Sequence, residues 1–185
     1  HERIGKFVAK YKLTMRQVNI LKQMNVYFTD NILEQVIIPI LNQKSKVSLR
    51  SIDWLVTNYS KKKNIVVNVD GELVNIHNSY KTALSYYRRR NFDPFRRRLR
   101  IEFEHKNNTY QTTVGQLNFL CWIHKNGILN YALSSIEDIE KDMQLTAQRI
   151  RKERKDKQNI KRKELSKPPK RKVSVYAHET VVLFD

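Results

Sequence analysis

The chain of 185 residues is long enough for one domain, and its 40% of hydrophobic residues can supply a core. It carries 36 Lys and Arg against 18 Asp and Glu, and this net charge of +18 indicates a polyanionic partner. Its single cysteine, Cys121, excludes an internal disulfide and a zinc site built on paired cysteines, which favours a reducing compartment. No apolar run approaches the ~20 residues of a membrane helix, so we expect no membrane span.

Three helices are predicted in the N-terminal part of the chain, after a basic lead-in over residues 1–13. Thr14 is followed three residues later by glutamine, a capping box that predicts the start of the first helix. Asn31 is followed three residues later by glutamate and predicts the start of the second helix, which Pro39 should bend or stop. Ser48 predicts the start of the third.

The next segment predicts a β-hairpin followed by a helix. A β-branched apolar run at 65–69 and a return at 73–76 flank Asp70-Gly71, a typical hairpin turn. The helix that follows is expected to end in the arginine triplet at 88–90.

The pattern then recurs at an offset of about 36 residues, which predicts a second hairpin–helix unit. Residues 98–104 alternate between apolar and charged side chains, and Asn107-Asn108 predicts the turn. Thr113 opens the helix, and Gly127 is a good C-cap for it.

The helix that Thr113 opens is apolar on nearly all sides, so we expect it to be buried. Trp122 on this helix and Trp54 on the third helix indicate that both helices belong to the core. We expect His124 to be a core or boundary residue and not a metal ligand. Cys121 lacks any neighbouring base in the sequence that would make it a nucleophile.

A long helix is predicted from Ser134, with an acidic first turn that suits the helix dipole. Beyond Arg149 its sequence is almost wholly basic. The fold class is therefore α+β, with N-terminal helices, two hairpin–helix units, a long basic C-terminal helix or arm and a short returning strand pair. The predicted parts are a lead-in at 1–13, a globular domain at 14–148, a basic arm at 149–172 and a C-terminal strand pair at 173–185.

Most of the charge lies in two blocks. Segment 149–172 holds 13 Lys and Arg against three acidic residues, and segment 88–100 holds seven Arg against Asp93, whereas the remaining 148 residues carry only +2. Such concentration is typical of a surface that contacts a phosphate backbone. For the arm, a nuclear-localisation-like signal and a solvated helix extension are the alternatives. The predicted nucleic-acid contacts are Arg88, Arg89, Arg90, Arg96, Arg97, Arg98, Arg151, Lys152, Arg154, Lys155, Lys161, Arg162, Lys163, Lys170, Arg171 and Lys172.

The segment Phe-Asp-Pro-Phe at 92–95 separates the arginine triplets at 88–90 and 96–98. The functional interpretation is a turn that holds both triplets toward phosphates, with Tyr86, Tyr87 or either phenylalanine available to stack on bases. The structural alternative is a buried Phe-Pro-Phe anchor whose flanking arginines are solvated.

Catalytic and metal-binding signatures are missing from the sequence. Its four glycines form no phosphate-cradling loop, and no HExxH, GxSxG or clustered His/Cys set occurs. The carboxylates at 137–142 fit a capped helix start better than a metal site. We therefore expect no catalytic residues, no metal and no cofactor. A nuclease-like site on Glu102, Glu104 and Lys106 is the enzymatic alternative.

Five segments resemble a family of small basic proteins of unassigned function from nucleocytoplasmic large DNA viruses. They are SLRSIDWLVTNYSKK (48–62), FDPFRRRLRIEFE (92–104), TTVGQLNFLCWIHKNGI (112–128), IEDIEKDM (136–143) and KRKELSKPP (161–169). FDPF followed by TTVGQLNF is the most specific pair. Arg96 stands where family members often carry cysteine, which argues against a catalytic or metal role for that position. The resemblance implies a viral origin and a shared fold but no particular activity.

We therefore expect a non-enzymatic viral nucleic-acid-binding protein, associated with the genome or the virion core, with duplex DNA as the favoured partner. The alternative is a minor capsid or scaffold protein whose basic arm binds acidic surfaces of other virion proteins. Either function implies localisation to the virion, and to the host cytoplasm or nucleus during infection.

Overall fold

A computed structural model describes residues 7–159, with side chains through residue 156. The chain divides into two compact units, His1–Gln148 and Arg149–Asp185. The predicted strand pair at 173–185 lies outside the described residues. Within 7–159 the fold is α+β, as predicted, and none of its helices combines the length and apolarity needed to cross a bilayer.

Seven helices and five strands make up the described part of the chain. The helices are α1 Met15–Tyr27, α2 at 30–41, α3 at 49–63, α4 Ile76–Tyr87, α5 Val114–Lys125, α6 Ile128–Ser134 and α7 Ile136–Asn159. The strands are β1 Phe7–Ala9, β2 Val66–Val69, β3 Glu72–Asn75, β4 Arg100–His105 and β5 Asn108–Thr113.

Both predicted hairpin–helix units are present, as β2-β3-α4 and β4-β5-α5. Asp70-Gly71 forms the first turn with positive φ at both residues. The second turn is Lys106-Asn107, one residue earlier than predicted, because Asn108 pairs with His105 in the β4–β5 ladder. The helices of the two units begin in the same way. The side chain of each N-cap residue, Asn75 or Thr113, accepts a hydrogen bond from the backbone N–H of the residue three positions later in the chain.

The second hairpin gains a third strand from the segment that was predicted only as a basic lead-in. β1 pairs antiparallel with β4, with Phe7 opposite Phe103 and Ala9 opposite Ile101. Its length of three residues is too short to show alternation in the sequence, and its pairing partner lies far along the chain. The strand order of this sheet is therefore β1-β4-β5.

The second helix starts and continues differently from its prediction. Thr29, not Asn31, is the N-cap, and its hydroxyl accepts a hydrogen bond from the Ile32 N–H. The helix also runs through Pro39 to Leu41, because a π-turn precedes the proline and places it in the first turn of the closing α-helical segment, where its missing N–H is tolerated. Its three segments are Asp30–Ile32, the π-turn Leu33–Ile37 and Ile38–Leu41.

Ser48 caps the third helix as predicted, and Ile52, Leu55 and Val56 on its inner face are buried. This helix also contains a π-turn. Its three segments are Leu49–Trp54, the π-turn Leu55–Tyr59 and Ser60–Lys63.

Two other helix boundaries differ from the predictions. Ser134 is the last residue of α6 and donates to the Tyr131 carbonyl, so it does not cap the long helix. That helix, α7, begins at Ile136 after a break at Ser135. The fourth helix ends at Tyr87 and does not include the arginine triplet.

The core is organised around α5, whose residues from Val114 to Ile123 are almost all buried. Trp122 is only 9% exposed, and its ring lies against those of Tyr80, Phe92 and Phe119. The prediction that the helices of Trp122 and Trp54 both belong to the core is confirmed. His124 lies at the core boundary as expected, where its Nδ1 hydrogen-bonds with the Tyr27 hydroxyl.

Replacing Trp122 by alanine should lower the free energy of unfolding by about 3–5 kcal/mol, because a buried aromatic ring is lost from a packed cluster. Tyr86→Ala is the control, since Tyr86 is an aromatic residue that is 68% exposed, and it should cost less than about 1 kcal/mol. Urea denaturation followed by circular dichroism measures both. Equal losses in the two variants would contradict the burial of Trp122.

Candidate nucleic-acid interface

The segment between α4 and β4, here called the arginine turn (88–99), starts where the backbone leaves the helix. Arg88 has φ of 64° and ψ of 148°, a conformation that ends α4 after Tyr87. One 3-10 turn, Arg89–Asn91, follows. The first arginine triplet therefore lies in an irregular segment and not on a helix face.

Asn91 fixes the position of the arginine turn in the interior. Its side chain is buried, accepts a hydrogen bond from Gln17 Nε2 at 3.3 Å and donates one to the Tyr87 carbonyl at 3.4 Å. Its carbonyl accepts a third hydrogen bond, from Asn118 Nδ2 at 2.9 Å. A buried amide with these partners holds the backbone in one place.

Phe92 is the second anchor and is 1% exposed. Its ring stacks on Tyr87 with centroids 5.4 Å apart and meets the edges of Phe119 and Trp122. Phe92 is therefore a core residue, as the alternative of a buried Phe-Pro-Phe anchor predicts for it. Phe95, by contrast, is 49% exposed.

The turn from Asp93 to Arg96 is held from both sides. The Asp93 carboxylate accepts a hydrogen bond from the Phe95 N–H at 2.9 Å, and the Pro94 carbonyl accepts one from Gln116 Nε2 at 3.3 Å. Helix α5 approaches closely at Gly115, where a Cβ atom would lie 3.1 Å from the Asp93 nitrogen and 3.2 Å from its carbonyl oxygen. The side chains of this segment are thus displayed on a fixed backbone.

The six arginines that flank Phe92 and Phe95 are accessible. Five of them are exposed and Arg96 is half-buried, and no salt bridge within residues 7–159 involves any of the six. Burial raises the pKa of the Tyr11 hydroxyl, and the charges of Arg96 and Arg90, one from each triplet, partly oppose this rise. The turn therefore brings members of the two triplets near the same tyrosine.

Arg89 faces acidic neighbours. Burial and, to a smaller extent, the Asp93 carboxylate raise the pKa of Asp53 to about 6, although the Arg89 guanidinium opposes both effects. The charge of Arg89 is thus partly compensated by these carboxylates. It is the member of the first triplet least suited to a phosphate contact.

Two members of the second triplet line an open groove of about 770 Å³. Arg96 and Arg97 form part of one wall, and Arg50 of α3 and Arg100 of β4 add two more guanidinium groups. No Asp or Glu occurs among the described residues that line this arginine groove. Arg98 and the first triplet lie outside it.

Arg50 was missed by the sequence analysis because it stands alone, far along the chain from either basic block. Arg100 belongs to the block at 88–100 but was not selected as a contact. In the structure, Arg100 Nη1 donates to Gln111 Oε1 at 2.6 Å and its Nε donates to the Arg97 carbonyl at 3.3 Å. These bonds fix its guanidinium at the groove.

The basic arm is described only through its first part. Arg151, Lys152, Arg154 and Lys155 lie on α7, and all four are exposed. Arg149 forms a loose salt bridge with Glu153, with 3.8 Å between Nε and Oε1. The other predicted contacts of the arm lie outside the described residues; they are Lys161, Arg162, Lys163, Lys170, Arg171 and Lys172.

Two of the three residues of the nuclease alternative, Lys106 and Glu102, have structural partners, and the third, Glu104, is exposed. Lys106 is paired with Glu34, which also accepts from His105 Nε2 at 3.0 Å, and Glu102 accepts a hydrogen bond from Gln111 Nε2 at 3.2 Å. In the part of the chain that the structure describes, no three His, Cys, Asp or Glu residues are grouped to hold a metal ion.

Cys121 is buried as well, and burial raises the pKa of its thiol to about 11. A thiol with so high a pKa is almost wholly protonated near neutral pH, and the protonated thiol is a poor nucleophile.

The acidic start of α7 contacts α3. Asp142 accepts hydrogen bonds from Lys62 Nζ and from Trp54 Nε1, the latter at 3.1 Å, and the Lys62 ammonium holds the pKa of this carboxyl below its usual range. Glu140 accepts from the Ser51 hydroxyl at 3.2 Å. Trp54 itself is only half-buried. These carboxylates are therefore used in packing, which the pattern of a capped helix start did not predict.

The fold and the groove define a small basic α+β protein with an arginine-rich surface. The chain belongs to a family of unknown function, DUF7197, whose model matches residues 4–178. It is similar to "Uncharacterized protein L507" of Acanthamoeba polyphaga mimivirus, with 31% identity over 174 residues. The alignment covers 88% of this chain and 66% of the viral protein. The predicted membership of a viral family of unassigned function is thus confirmed. No solved structure matches the chain.

Gly115→Ala should lower the free energy of unfolding by a net amount of about 1 kcal/mol. The added methyl group would be crowded against the held backbone of Asp93, and this crowding should cost about 2 kcal/mol, more than the gain in helix propensity of about 1 kcal/mol. Ser85→Ala, at an exposed position of α4, is the control and should change stability by less than about 0.5 kcal/mol. A stabilised Gly115→Ala protein would contradict the close approach of α5 to the turn.

The raised pKa of Asp53 predicts a dependence of stability on pH. The folded protein holds this proton more tightly than the unfolded chain, so stability should decrease as the pH rises from about 4 to about 6. Asp53→Asn should therefore be more stable than the wild type by roughly 1 kcal/mol at about pH 8, after allowance for solvent screening. Near pH 4 the two proteins should be equally stable.

Urea titrations at a series of pH values measure this difference. Ser85→Ala, which changes an exposed residue and removes no titratable group, is the control and should leave the pH dependence unchanged. Parallel profiles for the wild type and Asp53→Asn would refute the assignment.

Proposed function

We propose that this protein is a non-enzymatic viral nucleic-acid-binding protein, associated with the genome or the virion core. The observation that carries the proposal is the arginine groove, which four arginines help to line and which has no carboxylate among its described lining residues. Guanidinium groups bind phosphate oxygens through two parallel N–H···O bonds, and they are weakly hydrated, so they lose little on leaving water.

The fixed backbone that carries the arginines supports the same function. A turn held by Asn91 and Phe92 presents its side chains from a fixed backbone, so less conformational entropy is lost on binding than with a flexible segment. The exposed Arg88, Arg90 and Arg98 extend the basic surface beyond the groove. Duplex DNA, which has the highest density of phosphates, is the favoured partner of these exposed groups and of the basic arm.

The viral relative is compatible with a role in handling a viral genome. The proposed location is the virion, and the host cytoplasm or nucleus during infection. In the alternative function, a minor capsid or scaffold protein, the same arginines would bind acidic surfaces of other virion proteins. The experiment below separates the two functions.

Binding through counterion release should make the logarithm of the association constant fall linearly with the logarithm of the salt concentration, by roughly 0.9 per duplex phosphate neutralised. The variant Arg90→Gln/Arg98→Gln removes one exposed charge from each triplet outside the groove and should lower this slope by up to about 1.8. Replacing Lys161, Arg162 and Lys163 of the arm by glutamine should lower it too, and should weaken all base sequences alike.

The matched control is Lys61→Gln/Lys63→Gln, which removes two exposed charges from the opposite end of the helix that carries Arg50, and it should leave the slope unchanged. Fluorescence anisotropy with mixed-sequence duplex DNA measures the slopes, and the DNA should stay intact when Mg²⁺ is added. An unchanged slope in both the turn variant and the arm variant would mean that the basic blocks do not contact nucleic acid, and the scaffold function would then be favoured.

A further inference from the structure

We infer that the arginine groove binds an unpaired nucleotide, with its phosphate held by arginines and its base stacked on Phe95. This inference rests on the proposed function and goes further, because it specifies single-stranded nucleic acid as the ligand of this groove. The exposed arginines outside the groove then contact the flanking backbone.

The size of the groove suits one nucleotide. Its volume of about 770 Å³ is within the range of ~300–1,000 Å³ that is typical of small-ligand sites. Its lining comes from three parts of the chain: residues between 40 and 50, residues between 94 and 100, and residues between 111 and 116. A duplex is far too wide to enter such a concavity, whereas one phosphate and its base can do so.

The arginines of the groove come from three separate parts of the chain. Arg50 lies in the first turn of α3, Arg96 and Arg97 follow Phe95, and Arg100 begins β4. Folding brings these four cations together with no acidic residue among the described residues that line the groove, although bringing like charges together is unfavourable unless an anion binds among them. Arg100 is also held in place by Gln111. Its side chain therefore loses less conformational entropy when a ligand binds.

Phe95 is the feature that distinguishes a nucleotide from a simple anion. Its ring lines the groove and is 49% exposed, and within residues 7–159 it makes no contact with another aromatic ring. Its backbone N–H is bonded to the Asp93 carboxylate, so the ring is carried on a fixed turn. An accessible ring next to cationic side chains is the arrangement with which proteins stack unpaired bases.

Stacking on Phe95 requires a base whose face is free. In a duplex both faces of each internal base are covered by its neighbours, so the ring can contact only an unpaired base or a strand end. Arginines without an aromatic ring would distinguish a duplex from a single strand only by the charge density of the nucleic acid. The ring therefore predicts a selective contribution to the binding of single strands.

The test compares two probes by fluorescence anisotropy at about 0.15 M salt: a mixed-sequence single strand of about 12 nucleotides and a blunt-ended duplex of about 12 base pairs. Each variant is compared with the wild type on the same probe. Phe95→Leu keeps an apolar side chain and removes the ring. It should weaken binding of the single strand about tenfold and change binding of the duplex by less than about twofold. Phe95→Trp should restore binding of the single strand.

Two matched controls locate the effect in the groove. Tyr86→Leu removes an exposed ring that does not line the groove and should leave binding of the single strand unchanged. Arg50→Gln, inside the groove, should weaken binding of the single strand more than Arg98→Gln, outside it. This second comparison tests the groove without any change at Phe95.

The outcomes separate the inference from the proposed function. If the wild type binds both probes and Phe95→Leu weakens the binding of both equally, or of neither, the inference is overturned and the proposed function stays intact. Equal losses in Arg50→Gln and Arg98→Gln also overturn it. A wild-type protein that binds neither probe overturns both the inference and the proposed function.

Discussion

The packing of Phe92 against Trp122 and Phe119 is the interaction on which the candidate site depends. Seven arginines in thirteen residues repel one another, and such a segment has little reason to adopt a single conformation. One buried ring, together with the hydrogen bonds of Asn91, ties this segment to the central helix α5. The hydrophobic core thus sets the positions of charged side chains that are mostly exposed.

The same packing explains how the two phenylalanines of the turn differ. Pro94 and the Asp93 hydrogen bond reverse the chain between them, so that Phe92 points into the core and Phe95 remains half exposed. The Phe-Asp-Pro-Phe segment is therefore an anchor at its first residue and an accessible surface at its last. The functional and structural interpretations of this segment each apply to a different residue.

Local sequence patterns predicted much of the fold, because the caps at Thr14, Ser48 and Thr113 and the Asp-Gly turn depend on neighbouring residues only. The patterns could not predict β1 or the continuation of α2 through Pro39, because the first depends on a distant partner and the second on a π-turn. The site divides in the same way. The arginine blocks were visible in the sequence, but only folding brings Arg50 into one groove with Arg96 and Arg97.

The pairing of β1 with β4 has a consequence for the order of folding. Both hairpins and the helices that follow them form from contacts between near neighbours, whereas β1 must close a loop that spans most of the first unit before it gains any hydrogen bond. We expect the β4–β5 ladder to exist first and to serve as the template on which the N-terminal strand is laid down. Until then, the outer edge of β4 carries open backbone groups that can recruit a strand from another molecule.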